Sequence, residues 1–297
     1  MNIYSNIAIV ASFLGLWIDS FFNHKSQIFV GFLLIFTFGI LHGANDLQLI
    51  DKIDVLKDKK NSTLRILIYY IMFVLIGILS FYIFPLVALL LFIVVSAYHF
   101  GEQQWQKLPN DLPMFTLILY RFLYGFLILF LLFVFHTIQV QNIISTITTF
   151  KIPAGYFWET LKASGIAFIF INCFLYWKIL QIRKKLLLEF FYLIVFAIIF
   201  KSSSLIWGFA IYFVVWHSIP SIIDQIKFLN GSVSKKHFLS YCKAAGVYWF
   251  VSILGIAFIY LVFKDEQLFN AVFFSFLAAI TFPHVLVITK MFQKKTV

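Results

Sequence analysis

The sequence contains few cysteines and few charged residues. Cys173 and Cys242 are the two cysteines of the 297-residue chain and lack C-x-x-C spacing, which excludes a disulfide framework and a thiolate metal site. Charged residues make up 12% of the chain, whereas soluble domains contain about a quarter. Residues 1–22 lack the basic start and small-residue cleavage site of a signal peptide. The composition therefore excludes a soluble domain, and the N-terminal segment is predicted to be a first membrane span.

Apolar residues are abundant instead. They make up 62% of the chain, and 40 residues are phenylalanine. Because a bilayer span takes about 20 apolar residues, the chain can supply roughly nine or ten spans, with nothing left for a soluble domain. The predicted fold class is an all-α, polytopic membrane helix bundle that forms a single domain over residues 1–297 and is surrounded by membrane lipid.

Ten apolar runs, each bounded by polar or basic clusters, predict transmembrane helices. Their ranges are 3–22, 28–50, 64–84, 86–104, 113–136, 162–178, 186–201, 203–223, 241–263 and 268–290. Pro85 separates the third and fourth helices, and Pro113 opens the fifth. Segment 138–160 is predicted to be the longest loop and to contain part of a surface helix.

The distribution of basic residues predicts the orientation of these helices. The 23 Lys and Arg residues exceed the 12 Asp and Glu residues, giving a net charge of +11. Loops after even-numbered helices, together with basic residues at adjoining helix ends, account for 16 basic residues, and those after odd-numbered helices account for 5. Basic residues concentrate in cytoplasmic loops, so both termini are predicted to be cytoplasmic. The positive charge thus indicates topology, and no nucleic acid partner is expected.

Seven histidines are present, and four of them lie within predicted helices two, four, eight and ten. These four are His42, His99, His217 and His284. Each lies a few residues beyond the midpoint of its helix, which places it roughly 5–8 Å toward the cytoplasm. We interpret His24, His136 and His237 as solvated or interfacial side chains.

Four imidazoles at one depth predict a metal site, because imidazole is a common ligand of iron, copper and zinc. With four neutral nitrogens and no thiolate, a six-coordinate iron with two open positions fits better than a structural zinc. The residues alone leave open a b-type haem electron carrier and a proton-coupled transporter, since ionisable groups inside helices also form proton relays.

Carboxylates accompany three of the histidines at helical spacing. Asp46 follows His42 by four residues, and Glu102 follows His99 by three. Asp224 lies seven residues after His217. Ligating imidazoles usually donate their second N–H to a carboxylate or carbonyl group, so these residues are predicted to orient the ligands, and Asp46 or Glu102 is an alternative ligand. Asp224 could equally be an interfacial residue that faces water.

The same residues give the chain a resemblance to a known family. His42-Gly43-x-x-Asp46, His99-Phe100-Gly101-Glu102, Trp216-His217-Ser218 and Pro283-His284 occur in family order over nearly the whole chain. In these elements the sequence resembles the bacterial Brp/Blh family of membrane β-carotene 15,15′-dioxygenases.

The resemblance implies a multi-pass enzyme of the inner membrane. Such an enzyme uses Fe(2+) and O2 to split the central double bond of β-carotene into two molecules of all-trans-retinal, and a microbial rhodopsin is the implied acceptor. His42, His99 and His217 correspond to the family's proposed iron ligands. Many members carry a second histidine one turn after the third ligand, where this chain has Ser221. His284 is the candidate fourth ligand, with water or a carboxylate as the alternative.

Overall fold

The computed structural model describes residues 3–53, 62–106, 108, 112–262 and 265–295. Within these residues every regular element is a helix. The α-helices are α1 Ile3–Asp19, α2 His24–Leu34, α3 Ile40–Gly43, α4 Asp46–Ile53, α5 Ser62–Ile83, α6 Pro85–Gln104, α7 Met114–Phe135, α8 Thr137–Thr148, α9 Ala154–Tyr176, α10 Leu180–Ser202, α11 Leu205–Ile211, α12 Ile219–Asn230, α13 Lys235–Val262 and α14 Glu266–Lys295. Two π-helical turns, Ile35–Gly39 and Tyr212–Ser218, join α2 to α3 and α11 to α12.

The predicted fold class, a polytopic all-helical membrane protein, is confirmed. Each of the ten predicted apolar runs coincides with a helix or with helices joined in series. Among the described residues, eight of these segments are long and apolar enough to cross a membrane. The other two are α1, which is 17 residues long, and α10, whose first turns carry several charged residues.

Helix boundaries follow local sequence signals. α6 begins at Pro85, and Pro113 directly precedes α7, as predicted. Ser204 caps α11 by accepting the N–H of Trp207 at 3.4 Å. Segment 138–160 is more helical than predicted, because α8 extends to Thr148 and α9 already begins after Pro153. A proline before the first turn is compatible with a helix start, since no N–H is needed there.

One compact unit comprises residues 1–35, 96–141 and 152–217. In it α7 packs against α9 and α10, and α11 packs against α2. The part of α6 that belongs to this unit packs closely against α7 at two glycines. A Cβ atom at Gly101 would collide with the carbonyl of Arg121, and one at Gly125 would collide with the carbonyl of Ala97. These glycines therefore permit the close crossing that places the end of α6 on α7.

The other unit comprises residues 36–95, 142–151 and 218–297. In it α14 packs along α5 and α4, and Gly77 lies directly against the backbone of Ala279. Leu49, Ile288 and Met291 are fully buried where α4 meets α14. This packing determines the position of the α14 face that carries His284.

Side chains hydrogen-bond to the carbonyl groups of the two π-helical turns. Trp249 Nε1 lies 3.2 Å from the carbonyl oxygen of Phe36 and 3.0 Å from that of Thr37. The hydroxyl of Tyr4 donates to the carbonyl of Val215. In a π-helical turn, that carbonyl would accept the N–H of the residue five positions later. The residue there is Pro220, which has no N–H to donate. Irregular helical backbone is tolerated at membrane depth when such groups are satisfied, and π-helical turns are frequent at functional sites.

Candidate metal centre

His42 and His284 contact each other within the unit that contains α3 and α14. Both side chains are buried. Their ring centroids are 4.7 Å apart, and the ring planes are nearly perpendicular at 86°. The candidate ligand nitrogens of the two rings lie within 4.8 Å of each other. Metal–nitrogen bonds are about 2 Å long, so two nitrogens bound to one ion lie at most about 4 Å apart. The two rings are therefore a candidate pair of ligands for a shared ion.

Asp46 orients one of these rings. Its carboxylate oxygens lie 2.9 and 3.0 Å from Nδ1 of His284, and the hydroxyl of Tyr70 donates to Oδ2 at 2.9 Å. An imidazole whose Nδ1–H is bonded to a carboxylate keeps the lone pair of Nε2 for a metal. The structure thus places Asp46, predicted as a partner of the ligands, against the histidine of α14.

His99 and His217 form a corresponding contact in the unit that contains α7 and α11. Both are buried, and their ring centroids are 4.7 Å apart with an interplanar angle of 77°. Phe213 stacks against the His217 ring at 5.4 Å and 18°, while Phe100 meets it edge to face at 4.8 Å. These contacts restrict the orientation of the His217 imidazole.

Glu102 is part of a buried ion pair. Its Oε1 lies 3.2 Å from Nη1 of Arg121 and accepts the hydroxyl of Tyr98 at 2.7 Å. The sequence predicts that Glu102 orients a metal ligand or binds the metal itself. The structure brings Glu102 and Arg121 together, so the charge of Glu102 is balanced by a cation on the neighbouring helix α7.

Ser221 and Asp224 both lie on α12. Ser221 is fully buried, and its hydroxyl oxygen accepts a hydrogen bond from Nε2 of Gln225 at 3.1 Å. Asp224 is partly exposed. Where the resemblance implies a second histidine, this chain therefore has a hydroxyl group within a buried polar network.

Comparison with known proteins identifies the family. A family model described as Beta-carotene 15,15'-dioxygenase matches residues 33–292. The chain belongs to the β-carotene 15,15′-dioxygenase family. This match includes all four histidines that the sequence analysis selected. Comparisons with curated proteins and with solved structures gave no significant match.

The other histidines of this family member occupy different surroundings. His24 is exposed at the start of α2, and His237 is bonded to the carbonyl of Ser232 at 2.8 Å. His136, expected at an interface, is buried just after α7. Burial lowers the pKa of His136, and a hydrogen bond to the carbonyl of Phe200 partly offsets this. His136 therefore provides a buried histidine outside the candidate ligand set.

Sequence reasoning missed several buried polar residues of this dioxygenase-family chain. Glu189 on α10 accepts two hydrogen bonds from Gln104, at 2.8 and 2.9 Å, and one from Tyr124 at 2.7 Å. Gln225 and Gln103 donate to the backbone carbonyls of two candidate ligands. Glu189, Gln104 and Gln103 are polar residues within predicted apolar runs, which is the signal that selected the histidines. Gln225 lies just beyond the predicted run 203–223.

Proposed function

We propose that this chain is an Fe(2+)-dependent β-carotene 15,15′-dioxygenase. It would convert β-carotene and O2 into two molecules of all-trans-retinal by cleaving the central double bond. Membership in the β-carotene 15,15′-dioxygenase family carries this proposal. The two buried imidazole contacts inside apolar helices support it, because they supply nitrogen ligands in an environment suited to an apolar substrate.

The proposed iron ligands are the four histidines selected from the sequence, namely His42, His99, His217 and His284. The donor set suits a non-haem iron, since imidazole nitrogens bind iron well and a six-coordinate ion with four protein ligands keeps two positions for chemistry. The carboxylate of Asp46 at Nδ1 of His284 is the arrangement that commonly orients metal-bound histidines. Glu102, already paired with Arg121, is better suited to supporting the helix than to ligating the metal.

When bound, ferrous iron would activate O2, and the protein would supply orientation and exclude water. One oxygen atom adds to each carbon of the cleaved double bond, so the reaction needs no external reductant and releases no proton. The side chains therefore need no acid or base role. Asp46 would hold the proton on Nδ1 of His284, while Phe100 and Phe213 keep water from the ring of His217.

A haem centre is a less suitable alternative. Paired axial histidines of a haem lie on opposite faces of the porphyrin. The rings of His42 and His284 instead contact each other edge to face, as do those of His99 and His217. This arrangement favours a metal ion without a porphyrin, and we expect purified protein to show no Soret band.

The test is retinal formation by the chain and its histidine variants in a β-carotene-producing bacterium. We expect loss of the orange pigment and appearance of retinal with the unaltered chain, and no retinal with His42→Ala or His99→Ala. His136→Ala is the matched control, because it removes a buried histidine outside the proposed ligand set. Full activity of both ligand variants would contradict the assignment, and longer apocarotenals without retinal would refute cleavage at the central bond.

Location and product transfer follow from the same proposal. The apolar helices are those of a membrane protein, and we place the chain in the bacterial inner membrane. An apolar substrate would enter from the lipid. A microbial rhodopsin is the proposed acceptor of retinal, and co-expression with an opsin would test transfer by the appearance of a coloured holoprotein.

A further inference from the structure

Two glutamine side chains hold the backbone of two proposed iron ligands. Gln225 Nε2 donates to the carbonyl oxygen of His42 at 2.7 Å, and Gln103 Nε2 donates to that of His217 at 2.8 Å. We propose that Gln225 and Gln103 are positioning residues of the metal centre: each fixes the main chain from which a ligating imidazole projects. This inference rests on the proposed function, because it assumes that the two histidines bind the metal.

Both histidines lie where the helical backbone is irregular. His42 is in α3, a four-residue helix that follows the π-helical turn Ile35–Gly39. His217 lies inside the second such turn, Tyr212–Ser218. The last carbonyl groups of a helix have no partner within that helix. A π-helical turn also shifts the hydrogen-bond register of the residues around it. The orientation of each histidine therefore depends on side chains that bond to its main chain.

Both polar atoms of the Gln225 side chain form hydrogen bonds within the unit that contains His42. Its side chain is completely buried. Besides the carbonyl of His42, it donates to the hydroxyl of Ser221 at 3.1 Å and accepts the hydroxyl of Tyr241 at 2.8 Å. Asn45, three residues after His42, donates to the carbonyl of Tyr241 at 3.0 Å. The backbone of His42 is thus tied to α12 and α13 by a connected network.

Gln103 has the same relation to His217 in the other unit. It lies four residues after His99 on α6, so the two side chains share a helical face. Its bond to the carbonyl of His217 consequently links the helix that carries His99 to the chain that carries His217. A small cavity lies beside this bond, lined by Gln103, Gln104, Tyr124, Trp216 and His217 among others. The hydrogen bond therefore adds a restraint on the main chain of His217 beyond the packing of Phe100 and Phe213 on its ring.

The chain offers a matched control in Asn172. Its Nδ2 donates to the carbonyl of Phe168 at 2.7 Å, and its Oδ1 accepts the hydroxyl of Tyr120 at 2.9 Å. This buried amide reproduces the bonding of Gln225, with a carbonyl acceptor on one side and a tyrosine donor on the other, on helix α9. A general cost of removing a buried amide should therefore appear equally in Asn172→Leu.

The experiment compares Gln225→Leu, Gln103→Leu and Asn172→Leu in the full chain, purified in detergent and loaded with Co(2+) as a spectroscopic probe. We expect all three variants to lose similar thermal stability. In the two glutamine variants alone, the visible bands of bound cobalt should shift and kcat of the iron-loaded enzyme should fall by about tenfold, with KM nearly unchanged. Unchanged cobalt bands and kcat in both glutamine variants, or the same changes in Asn172→Leu, would overturn the proposal.

A second comparison distinguishes loss of the positioning role from a failure to fold and from an absence of metal binding. Gln225→Met keeps the approximate size of the side chain but has no N–H to donate to the carbonyl of His42. We expect this variant to fold and to shift the cobalt bands. Amide hydrogen exchange of metal-free protein should rise in segment 39–43 in this variant and not in Asn172→Leu. A wild-type chain that binds no cobalt would contradict the metal centre, and an unaltered exchange rate in segment 39–43 would still refute the positioning role.

Discussion

Replacing Asp46 by asparagine should weaken metal binding without removing a ligand. The carboxylate accepts Nδ1–H of His284 at 2.9 and 3.0 Å and the hydroxyl of Tyr70 at 2.9 Å. Asparagine keeps one acceptor oxygen but loses the charge, and its NH2 group would face one of the two donors. A hydrogen bond to a charged group contributes about 1.5–3 kcal/mol. At 1.4 kcal/mol per factor of ten, the metal affinity should fall by roughly 10-fold to 150-fold.

The assay is competition for Co(2+) or Fe(2+) against a coloured chelator, with purified wild type, Asp46→Asn and Tyr70→Phe. Tyr70→Phe removes one neutral hydrogen bond and leaves the carboxylate in place, so a loss of roughly 2-fold to 12-fold is expected, from about 0.5–1.5 kcal/mol. The critical result is that Asp46→Asn loses more metal affinity than Tyr70→Phe. Wild-type affinity in Asp46→Asn, or a larger loss in Tyr70→Phe, would refute the role assigned to the carboxylate.

Three further predictions concern the helices around the site. Gly101→Ala should prevent folding, since a Cβ atom there would collide with the backbone of α7. Gly43→Ala is the control, because its Cβ atom would make only ordinary van der Waals contact. Size-exclusion profiles of the two purified variants will show the difference. Arg121→Met leaves the carboxylate of Glu102 buried without its cation and should cost about 3–5 kcal/mol. The double variant with Glu102→Gln should recover much of that loss in the thermal midpoint; equal midpoints for the single and double variants would count against the pairing. Glu189→Leu leaves the hydrogen-bond donors of Gln104 and Tyr124 unsatisfied, which should cost about 1–3 kcal/mol for each donor. The melting temperature of this variant, followed by circular dichroism, should therefore fall further than that of Glu189→Gln.

The positions of the helices could be predicted well because they depend on local properties. Within the described residues, apolar runs of sufficient length, bounded by basic clusters, coincide with helices. Prolines marked three helix starts, since Pro85 opens α6 and Pro113 and Pro153 precede α7 and α9. The sequence predicts a loop at Pro153, because polar residues continue from it into the first turns of α9. Polar turns that extend beyond an apolar run explain why several helices are longer than predicted.

Contacts between helices were less predictable. The sequence associates Asp46 with His42, four residues earlier, but the structure shows Asp46 bonded to His284 on α14. Such pairing depends on how each helix is rotated about its axis. A π-helical turn changes this rotation, because one extra residue shifts every later side chain by about 100°. In runs as apolar as those around Ile35–Gly39, hydrophobic periodicity gives no signal of the shift.

The candidate ligands were found because a polar residue within an apolar helix is costly and therefore conspicuous. The same criterion also marks Gln103 and Glu189, whereas Gln225 lies just beyond the predicted run 203–223. The roles of the amides became visible only through their acceptors, which are main-chain carbonyl groups that the sequence does not display. Buried amides beside irregular helix turns merit the same attention as ionisable groups in such chains.

The most direct test of the central claim is to measure retinal formation as a function of bound iron. Metal-free chain, purified in detergent, would be titrated with Fe(2+) and supplied with β-carotene and O2, and both bound iron and retinal would be quantified. The account predicts that retinal formation rises in proportion to iron and reaches its limit at one iron per chain, with two retinals for each β-carotene consumed. Undiminished retinal formation by metal-free chain in the presence of a chelator would contradict it, as would iron binding without any retinal.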